Sequence, residues 1–345
     1  MIEILKLGSR VLKSNFMRLP EPYKITFAIT YLCNSRCKTC GIWKRKPKNE
    51  LTTEEIKKIF QNIDPSWVNL TGGEPFLRSD LVEIAEFIRE NTDTYLLNLT
   101  TNGLLGDRVF RMAKKIADLN FPKFVLVVSL DGPRKIHDYI RGVKGNWYKS
   151  VRLYKKLRDL SKKRPGFQTF FGYTISQYNL GKIEDTIKEV DDEIGNVSID
   201  NFHFNIFHVS SLYYGNRGEY VGDLKQKILR DVDFVLKNKG GFGPIPFLER
   251  KYLKLIKGYY ETGKSPIPCK ALTSSCFIDP WGNVFPCTHW ERKLGSLREN
   301  GYDLKEIWKS KLSEKTRELI KQNKCPGCWT PCEAYQTIIG NVLRK

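Results

Sequence analysis

A chain of 345 residues with 41% apolar content is long enough for one large α/β domain and a smaller appendage. No run reaches the ~18–20 apolar residues of a membrane-spanning helix, and the opening segment, interrupted every second or third position by Lys or Arg, does not read as a secretory leader. The 58 Lys and Arg against 38 Asp and Glu leave a charge of +20, which favours an anionic partner (nucleic acid, an acidic membrane surface or a negatively charged substrate) or serves solubility alone.

Residues 1–23 place Ile4, Leu5, Val11, Leu12 and Phe16 among Lys6, Arg10, Lys13 and Arg18. At helical spacing this is a basic, moderately amphipathic segment that either lies on an anionic membrane or packs across the domain that follows. Period and composition then predict strands over 25–30, 67–70, 95–100, 124–129, 167–175 and 199–207, alternating with helices over 53–63, 80–90, 107–119, 148–161 and 182–193. Thr52 and Glu55 supply a capping box for the first of these helices. Such alternation implies a parallel sheet with right-handed crossovers, an α/β fold of the partial (β/α)6 barrel kind over 24–215. A helical linker over 216–268 follows, with helices at 224–237 and 247–260 parted by Gly240-Gly241 and by Pro244 and Pro246. The region 269–345 is cysteine-rich and short-elemented, and reads as a separate module with a hairpin between Ile278 and Cys287 turning at Gly282.

Nine cysteines without a leader argue for metal sites rather than disulfides. Cys33-x3-Cys37-x2-Cys40 follows the first strand directly. Three thiolates can wrap one face of an iron–sulfur cube and leave one iron without a protein ligand, the open position that catalysis needs. The same spacing also admits a structural zinc ion whose fourth ligand is His137, His203, His208 or His289.

That cysteine triplet, with Trp43 just beyond it and Thr71-Gly72-Gly73-Glu74-Pro75 at the end of the second strand, resembles the radical S-adenosylmethionine (radical SAM) superfamily. The resemblance continues in Thr100-Thr101-Asn102-Gly103, in Ser129-Leu130-Asp131-Gly132 and in His137-Asp138-x2-Arg141-Gly142. It implies that Cys33, Cys37 and Cys40 hold a catalytic [4Fe–4S] cluster with an open iron, and that Gly72, Gly73 and Glu74 receive the methionine amino group of S-adenosylmethionine. Asn102, Ser129 and Arg141 are then cofactor contacts, the last two on the ribose or the carboxylate, and 172–175 is the counterpart of the adenine-binding strand. In that family an electron from the cluster cleaves the sulfonium, and the 5′-deoxyadenosyl radical abstracts hydrogen from an unactivated C–H bond. A reducing donor such as ferredoxin or flavodoxin is implied with it.

Further on, Cys269-x6-Cys276-x5-Gly282-x4-Cys287 and Cys325-x2-Cys328-x3-Cys332 resemble the SPASM and twitch extensions that hold auxiliary iron–sulfur clusters. Six cysteines fall short of the seven or more of a full two-cluster SPASM pattern. One [4Fe–4S] cluster on Cys269, Cys287, Cys325 and Cys328 is the first expectation, with Cys276 and Cys332 as substitutes or as partial ligands of a second; a zinc ribbon-like closure is the other use of the same thiolates. The substrate expected first is a peptide or protein, then a membrane lipid or isoprenoid chain, then a small-molecule or cofactor precursor. Outside the enzyme class, the charge alone would suit an iron–sulfur or zinc protein that binds RNA, but no RNA-binding module is recognisable and nucleic acid is not an expected partner. The expected setting is cytoplasmic, with peripheral membrane contact open.

Overall fold

In the computed structural model, which describes residues 2–218 and 224–343, helix α1 (Ile2–Phe16) leads into a run of alternating strands and helices. These are β1 (Lys24–Thr30), α2 (Thr53–Asn62), β2 (Trp67–Gly72), α3 (Leu81–Asn91), β3 (Leu96–Thr101), α4 (Gly106–Asp118), β4 (Lys123–Ser129), α5 (Arg134–Arg141), α6 (Asn146–Ser161), β5 (Phe167–Ile175) and α7 (Ile183–Ile194). After β6 (Phe202–Ile206) come α8 (Lys225–Asn238) and α9 (Pro244–Thr262). The cysteine-rich region supplies β7 (Ser275–Ile278), β8 (Asn283–Phe285), β9 (Gly295–Ser296), α10 (Leu304–Lys309), α11 (Lys311–Lys321) and α12 (Pro331–Ile339). Residues 219–223 of the expected linker lie outside the described residues.

One open sheet runs through both halves in the order β6-β5-β4-β3-β2-β1-β7-β8-β9. The strands from β6 to β7 are parallel, and β8 and β9 add antiparallel. This is the unclosed parallel sheet that the strand–helix rhythm predicts. The pairing of β7 beside β1, which sets Cys276 opposite Ile25, joins the cysteine-rich region to the barrel edge. Covered on both flanks, β1 is buried at every position. By contrast β5 alternates, burying Phe167, Thr169, Phe171, Tyr173 and Ile175 while the residues between them are half-exposed.

Local chemistry sets most boundaries. Thr52 caps α2, and the Glu55 side chain returns to the Thr52 backbone as the capping box requires. Pro244 and Pro246, expected to break the chain, instead occupy the first turn of α9, where a missing N–H costs no hydrogen bond. The sixth strand is shorter than expected, because Ser198 caps a 3-10 turn at Ile199–Asn201 before it. Helix α5 and the three helices after β9 were not among the expected elements.

Helix α1 lies across the ends at which β2 and β3 begin. Lys6 pairs with Asp64 and with Asp93, the latter at 2.6 Å, while Arg10 reaches Glu21 at 2.9 Å and Ser66 at 3.0 Å. Ser14 and Asn15 are buried, and Asn15 donates to the Ile339 carbonyl. Lys6, Arg10, Ser14 and Asn15 therefore face the protein, together with half-buried Leu7 and Val11.

Candidate functional site

The loop carrying Cys33, Cys37 and Cys40 is held from three sides. On one, the Gly73 and Glu74 N–H groups donate to the carbonyls of Thr30 and Leu32, at 2.7 and 2.9 Å. A Cβ on Gly72 would stand 2.0 Å from the Thr30 oxygen, and one on Gly73 would stand 2.2 Å from that of Leu32. Only glycine lets the two strand ends approach so closely, and Gly72 also has φ +133°. On the second side, Arg36 and Lys38 donate backbone bonds to Arg141 and Ile140 at the end of α5, where Gly142 in the left-handed conformation closes the helix. On the third, Gly41 N–H donates to the Tyr214 carbonyl at 2.6 Å, and the Asn216 amide donates to Thr39. Arg45, from the basic run after the loop, holds the 211–213 carbonyls and stacks on Tyr31 at 4.2 Å.

The thiols have polar company. Arg141 Nη1 donates to Cys37 Sγ at 3.7 Å, Ser35 Oγ stands 3.2 Å from the same sulfur, and Asn102 Nδ2 lies 3.9 Å from Cys33 Sγ. Burial raises the Cys33 thiol to about 11 and the Cys40 thiol to about 12, with Cys37 adding to both, so the thiolate form needs a metal to displace the proton. Arg141 is itself fixed by Asp131 at 2.6 Å. Burial works against the charged guanidinium, but Asp131 and the Cys37 thiol outweigh it and hold Arg141 above its ordinary value. Asp131 Oδ1 also accepts from Thr174 N–H, and Asn179 donates to the Asp131 carbonyl, which locks the ends of β4 and β5 together.

A second buried network serves β3. Burial, with Arg141 nearby, depresses the pKa of His137; its neutral ring accepts from the Asp131 N–H through Nδ1 and meets Asn146 Oδ1 through Nε2. Asn146 and Ser150 in turn donate to the Asn102 carbonyl. Glu74 completes this arrangement from behind. Its carboxyl, raised to about 7 by burial, accepts the N–H of Asn102 at 2.7 Å and that of Phe76 at 3.3 Å. Both oxygens are thus engaged by the chain's own backbone.

Cys33, Cys37, Cys40, Gly72, Gly73, Asn102, Ser129 and Arg141 all line one cavity of about 390 Å³ inside the sheet; Glu74 does not. Asn69, Thr71, Asn98, Thr100, Thr174, His203 and Asn205 face the same space from the strands, and Phe207, His208, Tyr213 and Tyr214 from the loop after β6. Cys332 and Tyr335 of α12, with Ile245 and Leu248 of α9, complete the wall. Sequence reasoning did not single out Asn69, Asn98, Asn205 or Tyr335. Polar residues at every second strand position, Asn69 then Thr71 and Asn98 then Thr100, were the available signal for an open lumen.

The C-terminal cysteines divide. Burial raises the Cys328 thiol, and the like charges of Cys287, Cys269 and Glu333 add to it; Cys287 is raised by burial, Glu333 and Cys269, and Cys269, at about 12, by burial, Glu333 and Cys325. These four thus neighbour one another through Cys269. Cys276 on β7 and Cys332 on α12 are raised by burial with no other cysteine adding to them; Glu333 acts on both, as it does on Cys269, Cys287 and Cys328, and Lys24 acts against it at Cys332. Glu333 is buried, raised to about 7 by that burial, and accepts from Gln336 at 2.7 Å.

Among the described residues, no three His, Cys, Asp or Glu side chains close on a point where one ion could sit. Three thiols along a cavity wall, beside an Arg141 Nε with no hydrogen-bond partner, suit a larger multi-iron group and an amino-acid carboxylate.

Comparison with known proteins agrees. Residues 27–190 match the radical SAM superfamily and residues 269–333 the iron–sulfur cluster-binding SPASM domain. The chain belongs to the radical SAM superfamily, and its C-terminal part is a SPASM domain. It is an enzyme whose cofactors are a [4Fe–4S] cluster, S-adenosylmethionine and auxiliary iron–sulfur in the SPASM domain. Zinc in the first cysteine loop gives way to iron on that finding. Among curated relatives it is 24% identical to the pre-heme d1 synthase of Dinoroseobacter shibae, over 94% of this chain and 82% of that one. It is 25% identical to the AdoMet-dependent heme synthase of Methanosarcina barkeri, over 92% and 90%. Among solved structures it shares the fold of anSMEcpe with bound AdoMet, at TM-score 0.61, 18% identity and coverage of 93% and 97%. Streptococcus suis SuiB bound to its precursor peptide SuiA gives TM-score 0.61, 18% identity and coverage of 90% and 70%.

Proposed function

We propose that Cys33, Cys37 and Cys40 hold the catalytic cluster, that Gly72, Gly73, Asn102, Ser129 and Arg141 receive S-adenosylmethionine, and that Cys269, Cys287, Cys325 and Cys328 hold one auxiliary [4Fe–4S] cluster. When bound, the first cluster and S-adenosylmethionine supply a 5′-deoxyadenosyl radical that takes hydrogen from an unactivated C–H bond. The chain's own residues do the rest. The Gly-Gly turn admits the amino acid part of the cofactor against backbone, and Arg141, charged and fixed by Asp131, faces its carboxylate. Glu74 is a positioning residue, keeping Asn102 beside Cys33 through the Asn102 N–H. Tyr213, bonded to Thr71 at 2.7 Å, and Tyr214 cover the cavity and keep water from the radical. Acidic one-electron donors of the ferredoxin or flavodoxin kind suit a chain of charge +20.

The substrate class is a peptide or protein. The observation that carries this is the chemistry of the wall: Asn69, Asn98, Asn205 and Thr174 offer neutral amide and hydroxyl partners of the sort a peptide backbone uses. Among the described lining residues the basic groups are already engaged, Arg141 with Asp131, His203 with Glu249 at 3.1 Å, and His208, held neutral by burial, with the Trp329 carbonyl. Asn98 donates to Asn69 at 3.0 Å and Tyr252 to Asn205 at 3.2 Å, and a lipid chain would leave the remaining amide donors and acceptors without a partner. A second reading, a haem-type precursor, is favoured by relatives that align over more than nine-tenths of the chain. Its carboxylates, however, would find no free cation among the described lining residues beyond Arg141, which S-adenosylmethionine takes.

The test is deuterium transfer. The reconstituted enzyme is reduced in the presence of S-adenosylmethionine and fractions of cells grown on deuterated medium, and 5′-deoxyadenosine is weighed by mass spectrometry. Label should appear with the peptide and protein fraction. Label only with the lipid extract, or only with added Fe-coproporphyrin III prepared in deuterated form, overturns the peptide reading.

A further inference from the structure

Helix α1 is amphipathic in the reverse sense from a helix that packs its apolar stripe on a core. Its inward side carries the polar groups, through the Lys6 and Arg10 ion pairs and the buried Ser14 and Asn15, with half-buried Leu7 and Val11 between them. Its outward side is the apolar one: Ile2, Leu5, Leu12 and Phe16 are 72%, 67%, 51% and 77% exposed. At 100° per residue these four fall within one stripe along the helix, with the exposed Ser9 between Leu5 and Leu12. Met17 extends it at one end, and Leu343, whose N–H donates to Asn15 Oδ1, adds a further exposed apolar side chain beside it. No acidic residue joins this face. Glu3 turns inward towards Arg89, and the charged side chain at the edge of the stripe is the exposed Lys13. Water-exposed apolar patches of this continuity mark a docking surface rather than ordinary exterior.

We propose that this face docks on an anionic membrane surface, with α1 lying flat at the headgroup level. Charge decides the occupant. The chain carries +20, so a second copy brings repulsion to the same contact, whereas acidic lipid headgroups are complementary to it. Among the described residues no helix is long and apolar enough to cross a membrane, so the contact is peripheral. Position gives the contact a consequence. The partners of α1, Asp64, Ser66 and Asp93, sit just before β2 and β3, whereas the cysteine loop follows the opposite end of β1. Docking through α1 turns the cluster loop away from lipid, so the substrate arrives from water. That orientation accords with a peptide substrate and does not rest on it.

The test is sedimentation of the reconstituted full-length enzyme with vesicles of phosphatidylcholine and phosphatidylglycerol in equal parts, against vesicles of phosphatidylcholine alone. The wild type should partition to the anionic vesicles at least about tenfold better, and lose most of that in high salt. The triple variant Leu5→Gln, Leu12→Gln, Phe16→Gln leaves net charge unchanged and should lower partitioning about tenfold or more. Phe242→Gln, at a fully exposed phenylalanine elsewhere, should leave it within about twofold. All variants should form 5′-deoxyadenosine at the wild-type rate, which shows that they fold. Wild type that stays in the supernatant overturns the proposal, as does a triple variant that binds like wild type. Concentration-dependent dimers lost in the triple variant, without lipid binding, would reassign the face to self-association.

Discussion

The two cysteine regions of this chain handle the same side chain in different ways. Cys33, Cys37 and Cys40 sit on one loop at the mouth of the sheet, line its cavity, and have Arg141, Ser35 and Asn102 as polar neighbours. Of the other six, Cys269, Cys287, Cys325 and Cys328 gather away from that cavity, on segments far apart in the chain. A catalytic cluster needs space on one side, whereas an auxiliary cluster closed by four thiolates does not. Cys276 and Cys332 belong to neither pattern: one is buried in the β7 pairing with β1, the other faces the cavity from α12.

Substitutions can break this division. The largest effect is expected at the open loop: Cys37→Ala should lower S-adenosylmethionine cleavage by ~10³-fold or more and remove about four iron atoms per chain, read by 5′-deoxyadenosine yield and iron assay. Cys328→Ala should remove a similar amount of iron while leaving the spectrum of the S-adenosylmethionine-bound cluster intact. Cys276→Ala and Cys332→Ala should keep the full iron content; loss of iron from Cys332→Ala would dissolve the grouping of four.

Smaller effects test the scaffold. Arg141→Met leaves Asp131 buried and unpaired, at a cost of about 3–5 kcal/mol in urea unfolding, much of it recovered when Asp131→Asn is added. Gly72→Ala drives a Cβ into the Thr30 carbonyl and should cost about 1–3 kcal/mol while weakening S-adenosylmethionine binding. The smallest concerns Glu55, which joins α2 to the SPASM domain through Arg298 at 2.7 Å and Tyr302 at 2.8 Å. The Arg298 guanidinium holds its carboxyl below the usual 4.5. A depressed acid stabilises the fold above its ordinary pKa, and that contribution is lost as pH falls below it. Because the pair lies at the protein surface and is partly open to solvent, Glu55→Gln should cost no more than about 1 kcal/mol at neutral pH and flatten the acid limb of the stability curve.

The sequence alone determined the strand–helix rhythm, the capping box at Thr52, the cysteine loop and the Gly-Gly turn, because each is encoded by neighbours within a few residues. Local patterns of this kind survive any arrangement of the rest of the chain. Only the tertiary structure decided that β7 would extend the sheet at β1 and that the Glu74 carboxyl would accept the Asn102 N–H. It also decided which side of α1 faces out, since Asp64 and Asp93 claim Lys6 from loops far along the chain. Contacts of that range depend on how strands stack and helices cross, and composition or period carries no record of them.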